Sequence, residues 1–181
     1  MSISISLLEQ PTEQIEQHLP EEQKQLLRQL EELKQVLNFR RRQSGISFYI
    51  PNSIQRQAHQ SKAKNICYIG GNRSGKSTWG AVEVAWATTK QYPEWFPKER
   101  RFNRPVKVRI ATDRFFKIDS VIEPKLREYL PKSEIKSIRR SPQGYISKMI
   151  MKDGSLIEFL TMEQDLMAFE GQDLDLFWGD E

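Results

Sequence analysis

Ile66-Cys67-Tyr68-Ile69-Gly70-Gly71-Asn72-Arg73-Ser74-Gly75-Lys76-Ser77-Thr78 is the stretch on which the fold turns: an apolar, partly β-branched run passes into a glycine-rich turn and then into a helix-competent segment. It reads as strand, phosphate loop, helix. Gly70, Gly75, Lys76 and Ser77 fit G-x-x-x-x-G-K-[ST], in which successive backbone N–H groups wrap a polyphosphate, the lysine reaches its β/γ-phosphates and the hydroxyl ligates Mg²⁺. Glycine lets the backbone take φ > 0 and approach the anion, and the helix that follows points its positive dipole end at it. Residues 79–87 are apolar nearly all round, the mark of a buried helix. A chance glycine-rich turn is the alternative, and the apolar run before it and the buried helix after it argue against that.

The length of 181 residues allows one domain with an appended arm, and 38% hydrophobic content is enough for a core. A formal net charge of +4 and a pI near 9.2 suit a polyanionic partner. Residues 1–43 hold seven acidic and six basic side chains, so the excess of cations lies in the remainder, with the phosphate loop. The single Cys67 lies inside the apolar run, no stretch of 18 apolar residues exists, and the first ten residues lack the basic start and long apolar run of a signal peptide. The expectation is a reducing, cytoplasmic setting with no membrane.

Residues 1–18 are mixed and rich in Glu and Gln, which suits a mobile or weakly helical arm. Pro20-Glu21-Glu22 opens a helix, with proline at the first helical position and acids complementing the dipole. Leu26, Leu30, Leu33 and Leu37 form a two-heptad seam, short of the three or four heptads that argue for a coiled coil, so pairing with another chain and packing on its own domain both stay open. Arg40-Arg41-Arg42 suits a helix C-terminus as well as a phosphate backbone. Ser44-Gly45 marks the linker, dividing the chain into an arm, 1–45, and a main domain, 46–181.

Residues 46–50 alternate and are aromatic, and Pro51-Asn52-Ser53-Ile54-Gln55-Arg56-Gln57-Ala58-His59 turns into a short polar helix. A glutamine here can offer a donor and an acceptor to the edge of adenine, with Phe48 or Tyr49 over the ring face. The plainer reading is a surface helix on which His59 faces solvent. Residues 91–105 hold three prolines and Lys98, Arg100, Arg101 and Arg104, continued by Lys107 and Arg109 and interleaved with Tyr92, Trp95, Phe96 and Phe102. Such a loop suits a nucleic-acid backbone with base stacking; equally, its aromatics can cap the core.

Residues 106–111 alternate with period two, predicting a strand with one buried face. A helix carrying Ile118, Val121, Ile122, Leu126 and Tyr129 runs to a stop at Pro131. Residues 132–140 are another basic stretch, and residues 146–152 and 155–160 flank Asp153-Gly154, a β-hairpin signal. The last segment is an apolar strand ending in Asp180-Glu181. In phosphate-loop ATPases the first such acid holds Mg²⁺, directly or through water, and the second polarises water for in-line attack on the γ-phosphate.

Taken together, Tyr49-x-Pro51-x-x-x-Gln55, Gly70-Gly71-Asn72-Arg73-Ser74-Gly75-Lys76-Ser77, Phe169-x-Gly171 and Trp178-x-Asp180-Glu181 resemble the ATPase domain of the large terminase subunit of tailed bacteriophages, over residues 46–181. The resemblance implies an α/β phosphate-loop NTPase with a mainly parallel sheet, here lacking its later strands, plus the β-hairpin and the helical arm. It implies ATP and Mg²⁺ as cofactors, with Gln55 on adenine, residues 70–78 around the phosphates (Gly70, Gly71, Asn72, Arg73, Ser74, Gly75, Lys76, Ser77 and Thr78), Ser77 and Asp180 on the metal, and Glu181 activating water beside Lys76 and Arg73. Many large terminases carry the loop arginine four residues before the lysine; Asn72 holds that place here, and Arg73 follows it. Packaging of double-stranded DNA, a small terminase subunit, a portal and a homo-oligomeric ring in the host cytoplasm are implied in the same way.

The chain ends at Glu181, before the nuclease domain of that family. It also ends before the strand that usually lies between the loop strand and the acid-bearing strand, so residues 66–69 and 174–178 are expected to be unpaired at the centre of the sheet, with at most weak hydrolysis. A helicase-like ATPase with the same Gln, Lys and Asp-Glu set, and a non-catalytic remnant that only binds nucleotide or DNA, are the alternatives.

Overall fold

In the computed structural model, which describes residues 20–43, 45–164, 169 and 173–180, the chain divides into two compact units, residues 1–40 and 41–181. The expectations for residues 1–18, Ser44, Gly171 and Glu181 lie outside the described residues. The long helix α1 (Glu21–Gln43), which ends just past the division at residue 40, starts after Pro20, whose carbonyl accepts from the N–H groups of Gln23 and Lys24. Glu21 and Lys24 pair across one turn at 2.8 Å, and the leucine seam runs along this helix.

The second unit is α/β, built on a five-stranded mixed sheet. Its elements are a 3-10 turn (Gly45–Phe48), α2 (Ser53–Gln60), α3 (Lys76–Thr89), β1 (Lys107–Thr112), α4 (Phe115–Lys117) with a π turn (Ile118–Ile122), α5 (Glu123–Tyr129), β2 (Ile135–Arg140), β3 (Ile146–Met151), β4 (Leu156–Thr161) and β5 (Leu176–Asp180). The order across the sheet is β2-β3-β4-β1-β5, with β1 parallel to both β4 and β5 while β2, β3 and β4 form an antiparallel meander. The sheet is therefore mixed rather than mainly parallel. The expected hairpin turns at Asp153-Gly154, where Gly154 sits at φ +91. The basic stretch at 132–140, for which the sequence reading gave no strand, supplies β2, because irregularities on either side of residues 137–139 replace the strict alternation by a repeat of Ile135 and Ile138 facing inward.

One face of the sheet packs on α3 and α5. Val82, Ala85 and Trp86 meet Val108, Ile110, Met149, Ile157 and Phe159, with Ile118, Ile122 and Leu126 closing the side. On β1 the opposite face is buried as well: Arg109 is 2% exposed, donates to Glu158 across the strand pair at 3.2 Å and to the Phe169 carbonyl at 3.0 Å. A buried guanidinium needs such partners, and Lys148 completes the charge row by donating to Glu158 at 2.8 Å. Residues 66–69 form no strand and Ile69 is 89% exposed, in contrast to the expectation. Among the described residues β5 pairs with β1 alone, so the acid-bearing strand is an edge of the sheet, and residues 66–69 do not add to its free side.

Candidate functional site

The loop and the acidic strand are brought together by one close contact. α3 crosses β5 at Gly80, where a methyl group would lie 2.2 Å from Cε2 of the Trp178 ring, so only glycine lets helix and strand meet at this distance. Side chains two apart on a strand share a face, which puts Asp180 on the same side as Trp178; Ser77 lies one helical turn before Gly80. The result is that Ser77 Oγ donates to both carboxylate oxygens of Asp180, each at 3.1 Å, across 103 residues of sequence. Burial pushes the Asp180 carboxyl above the usual range, opposed by the Ser77 hydrogen bond and by the charges of Lys117 and Lys76. Lys117, at the end of α4, is ion-paired at 2.8 Å to Asp113, which follows β1, and Thr112 lies opposite Asp180 in the register of β1 and β5.

The loop itself carries the backbone such a site needs. Gly75 caps α3 at φ +86, and Arg73 also takes a positive φ of 62. Lys76 is folded back, its ammonium donating to the carbonyls of Gly70 and Gly71. Ser74 Oγ is buried with no hydrogen-bond partner, and the Ser74 carbonyl accepts from Tyr68, whose ring stacks on Trp79. Gly70, Gly71, Asn72 and Arg73 are exposed. Thr78 turns its hydroxyl to Tyr129, whose own hydroxyl burial pushes up to about 12.

Gln55 is 5% exposed and its amide is engaged at both ends. Its oxygen accepts from the Asn52 N–H at 3.0 Å in a capping box at the start of α2, and its nitrogen donates to the Gly75 carbonyl at 3.0 Å. The glutamine thus reaches the loop itself. His59, expected on the surface, is fully buried. It is four residues after Gln55 on the same face of α2, its Nδ1 lies 2.7 Å from Glu83 on α3, and its Nε2 lies 3.0 Å from the Tyr49 hydroxyl. Arg100 completes the group, donating to Glu83 at 2.8 Å and to the carbonyls of His59 and Ser61. A signal for this was present: Glu83 is the one charge in the otherwise apolar run 79–87, and a carboxylate inside a buried helix demands a partner.

The basic loop is mostly spoken for. Arg101 donates to the carbonyls of Pro93, Glu94 and Phe96, Arg104 makes a two-pronged pair with Asp175, and Phe96 is buried with Tyr92, Trp95 and Phe102 packed beside it. These aromatics cap the core. Lys132, Lys136 and Arg139, at and along β2, point to solvent.

A hydroxyl and a carboxylate fit a hard, oxygen-seeking dication. Two oxygens on adjacent corners of a Mg²⁺ octahedron with 2.0–2.1 Å bonds are about 3 Å apart, close to the separation of Ser77 and Asp180, and Mg²⁺ usually keeps waters and substrate phosphates in its remaining positions. Among the described residues no group of three or more His, Cys, Asp or Glu is placed to hold a metal, and no helix is long and apolar enough to cross a membrane. Comparison of the chain with protein-family models, with curated proteins and with solved structures finds no match.

Proposed function

We propose that residues 46–181 are the ATP-binding part of a phosphate-loop motor ATPase of the large-terminase kind, which couples hydrolysis of Mg²⁺-bound ATP to movement along double-stranded DNA. The observation that carries the reading is the contact of Ser77 with Asp180: a loop hydroxyl and a carboxylate 103 residues downstream meet at the separation one dication requires. A G-x-x-x-x-G-K-S loop alone is a motif match; the same loop joined to a half-buried acid at a strand end is a constellation.

Bound there, Mg²⁺ would neutralise charge on the β- and γ-phosphates. Ser77 and Asp180 would hold it. Lys76, whose ammonium now rests on two loop carbonyls, exchanges them for phosphate oxygens, a gain because an anion is the stronger acceptor. The amide groups at the start of α3 and the unpartnered Ser74 hydroxyl are further donors toward the same anion. Glu181, next to Asp180, would take the part of water activator, Arg73 would supply an exposed cation beside the phosphates, and Gln55, which the resemblance puts on adenine, holds the Gly75 carbonyl. The small subunit, the portal and a ring of subunits belong to the proposal through the resemblance alone.

The test is titration of the protein with ATP or ADP, with and without Mg²⁺. Binding is expected to need the metal and to collapse in Lys76→Ala; equal affinities of the two proteins would sink the assignment.

A further inference from the structure

We infer that His59, Glu83 and Arg100 are positioning residues for the glycine-rich loop: together they seat α2 on α3 so that Gln55 holds the Gly75 carbonyl. The inference rests on the proposed reading of that loop as a nucleotide site. Two rungs join the helices. Gln55 and His59 stand four apart on one face of α2, and their partners, Gly75 and Glu83, both belong to the α3 segment. The upper rung is a single neutral hydrogen bond of 3.0 Å at the mouth of the loop. The lower rung is a charge-assisted bond of 2.7 Å with no exposed surface on His59, and it is the stronger of the two.

Every charged or titratable group facing His59 can be named. Glu83 approaches from α3, Tyr49 from the segment before α2, and Arg100 from the loop after α3, while Arg56 of α2 itself lies over the Trp95 ring. An ionised Glu83 only accepts, so Nδ1 carries the proton and Nε2 accepts from the Tyr49 hydroxyl, which defines one neutral tautomer. The rings of Trp79, Trp86 and Trp95 stand around the imidazole, the nearest with its centroid 4.6 Å away. Nothing in this cluster can turn without breaking a buried bond, so α2 has one seat, and Gln55 inherits it. If the lower rung merely filled the core, an apolar pair of similar size would seat the helix as well, with Arg100 still bonded to the carbonyls of His59 and Ser61.

That difference gives the experiment. The double variant His59→Leu/Glu83→Met and the single variants His59→Gln and His59→Leu are compared with the wild type by thermal melting, by amide hydrogen exchange without ligand at Trp79, whose N–H donates to the Gly75 carbonyl that Gln55 also holds, and by affinity for Mg²⁺-bound ADP. A positioning role predicts a folded double variant that has lost protection at Trp79 and binds ADP weaker by about tenfold or more, while His59→Gln, which keeps a donor and an acceptor, stays within about threefold of wild type. A folded double variant with unchanged protection and unchanged affinity overturns the inference. Should the double variant fail to fold, His59→Leu decides, since it removes the bond to Glu83 while Arg100 keeps its partners, and wild-type protection in that protein overturns it equally. If the wild type binds no nucleotide while protection at Trp79 still falls in the variants, the positioning role stands and the proposed function is what fails.

Discussion

Replacing Gly80 by alanine tests the joint between α3 and β5 that assembles the site. The added methyl would lie 2.2 Å from Cε2, 2.5 Å from Nε1 and 2.7 Å from Cδ2 of Trp178. Nonbonded carbons settle near 3.5–4.0 Å, so about 1.5 Å of displacement must be found. Trp178 is 7% exposed and packed in the core, which leaves the helix to yield. Overpacking costs about 1–3 kcal/mol, and the better helix propensity of alanine returns about 1 kcal/mol, so a net loss of up to about 2 kcal/mol is expected. At about 2–4 °C per kcal/mol for a domain of this size, the melting temperature falls by up to about 8 °C. The functional effect is larger than the thermal one. If the helix takes up the displacement, the Ser77–Asp180 separation opens from 3.1 Å toward about 4.5 Å, beyond what adjacent corners of one Mg²⁺ octahedron can span. Melting curves and Mg²⁺-dependent nucleotide titrations on the purified protein decide the matter. A Gly80→Ala protein that melts higher than wild type and keeps its Mg²⁺ dependence would refute the reasoning.

Asp180→Asn removes a carboxylate whose burial disfavours its charge, so the metal-free variant should melt at or above the wild-type temperature while its nucleotide affinity no longer responds to Mg²⁺; a clear loss of stability would contradict this. Burial holds the His59 imidazole below its ordinary 6.5, so below that pH the unfolded chain binds the extra proton first and stability drops as the medium is acidified, by at most about 1.4 kcal/mol per pH unit. His59→Gln should flatten the dependence in that window, and melting scans across it provide the check. Arg101→Ala, losing bonds to three carbonyls, should lower the melting temperature, whereas Lys132→Ala/Lys136→Ala/Arg139→Ala should leave it within about 2 °C. If those three cations touch a nucleic-acid backbone, each removal should also flatten the salt dependence of DNA binding by about 0.9 in log–log slope.

Patterns that depend on neighbours in sequence were readable in advance. Asp153-Gly154 between two apolar runs encodes its own turn, the run 79–87 announces a buried helix, and Pro131 marks where α5 has just ended. What escaped was decided by partners far along the chain. Residues 66–69 have the composition of a strand, yet a strand is held by ladders on its flanks, and among the described residues no strand lies beyond β5 to bridge the sheet and the loop. Local propensity cannot supply that missing partner. β2 was hidden for the opposite reason: its cations mask a strand whose only apolar anchors, Ile135 and Ile138, fall three apart because of the irregular register. Arg109 looked like the polar side of a half-exposed strand until Glu158 and Phe169 gave it a buried place.

The candidate site divides along the same line. Lys76, Ser77 and Asp180 were legible because each is fixed by short-range geometry, a loop, a helix start and a strand end, and the sequence shows those directly. His59 was not, since its role is created by Glu83, 24 residues away, and by Arg100, a residue in a basic loop that the sequence left open between a nucleic-acid backbone and a cap on the core. The two kinds of residue differ in what they risk. Losing Lys76 removes a cation from a loop that is already exposed, a change the fold can absorb. Losing one member of the buried group weakens the others: without Arg100, Glu83 keeps a single neutral partner, and without His59, Tyr49 loses its bond beside the Trp86 ring while Glu83 keeps Arg100 alone. Substitutions at the loop should therefore separate binding from stability, whereas single substitutions in the group beneath it should move both, and the apolar double replacement is what disentangles them.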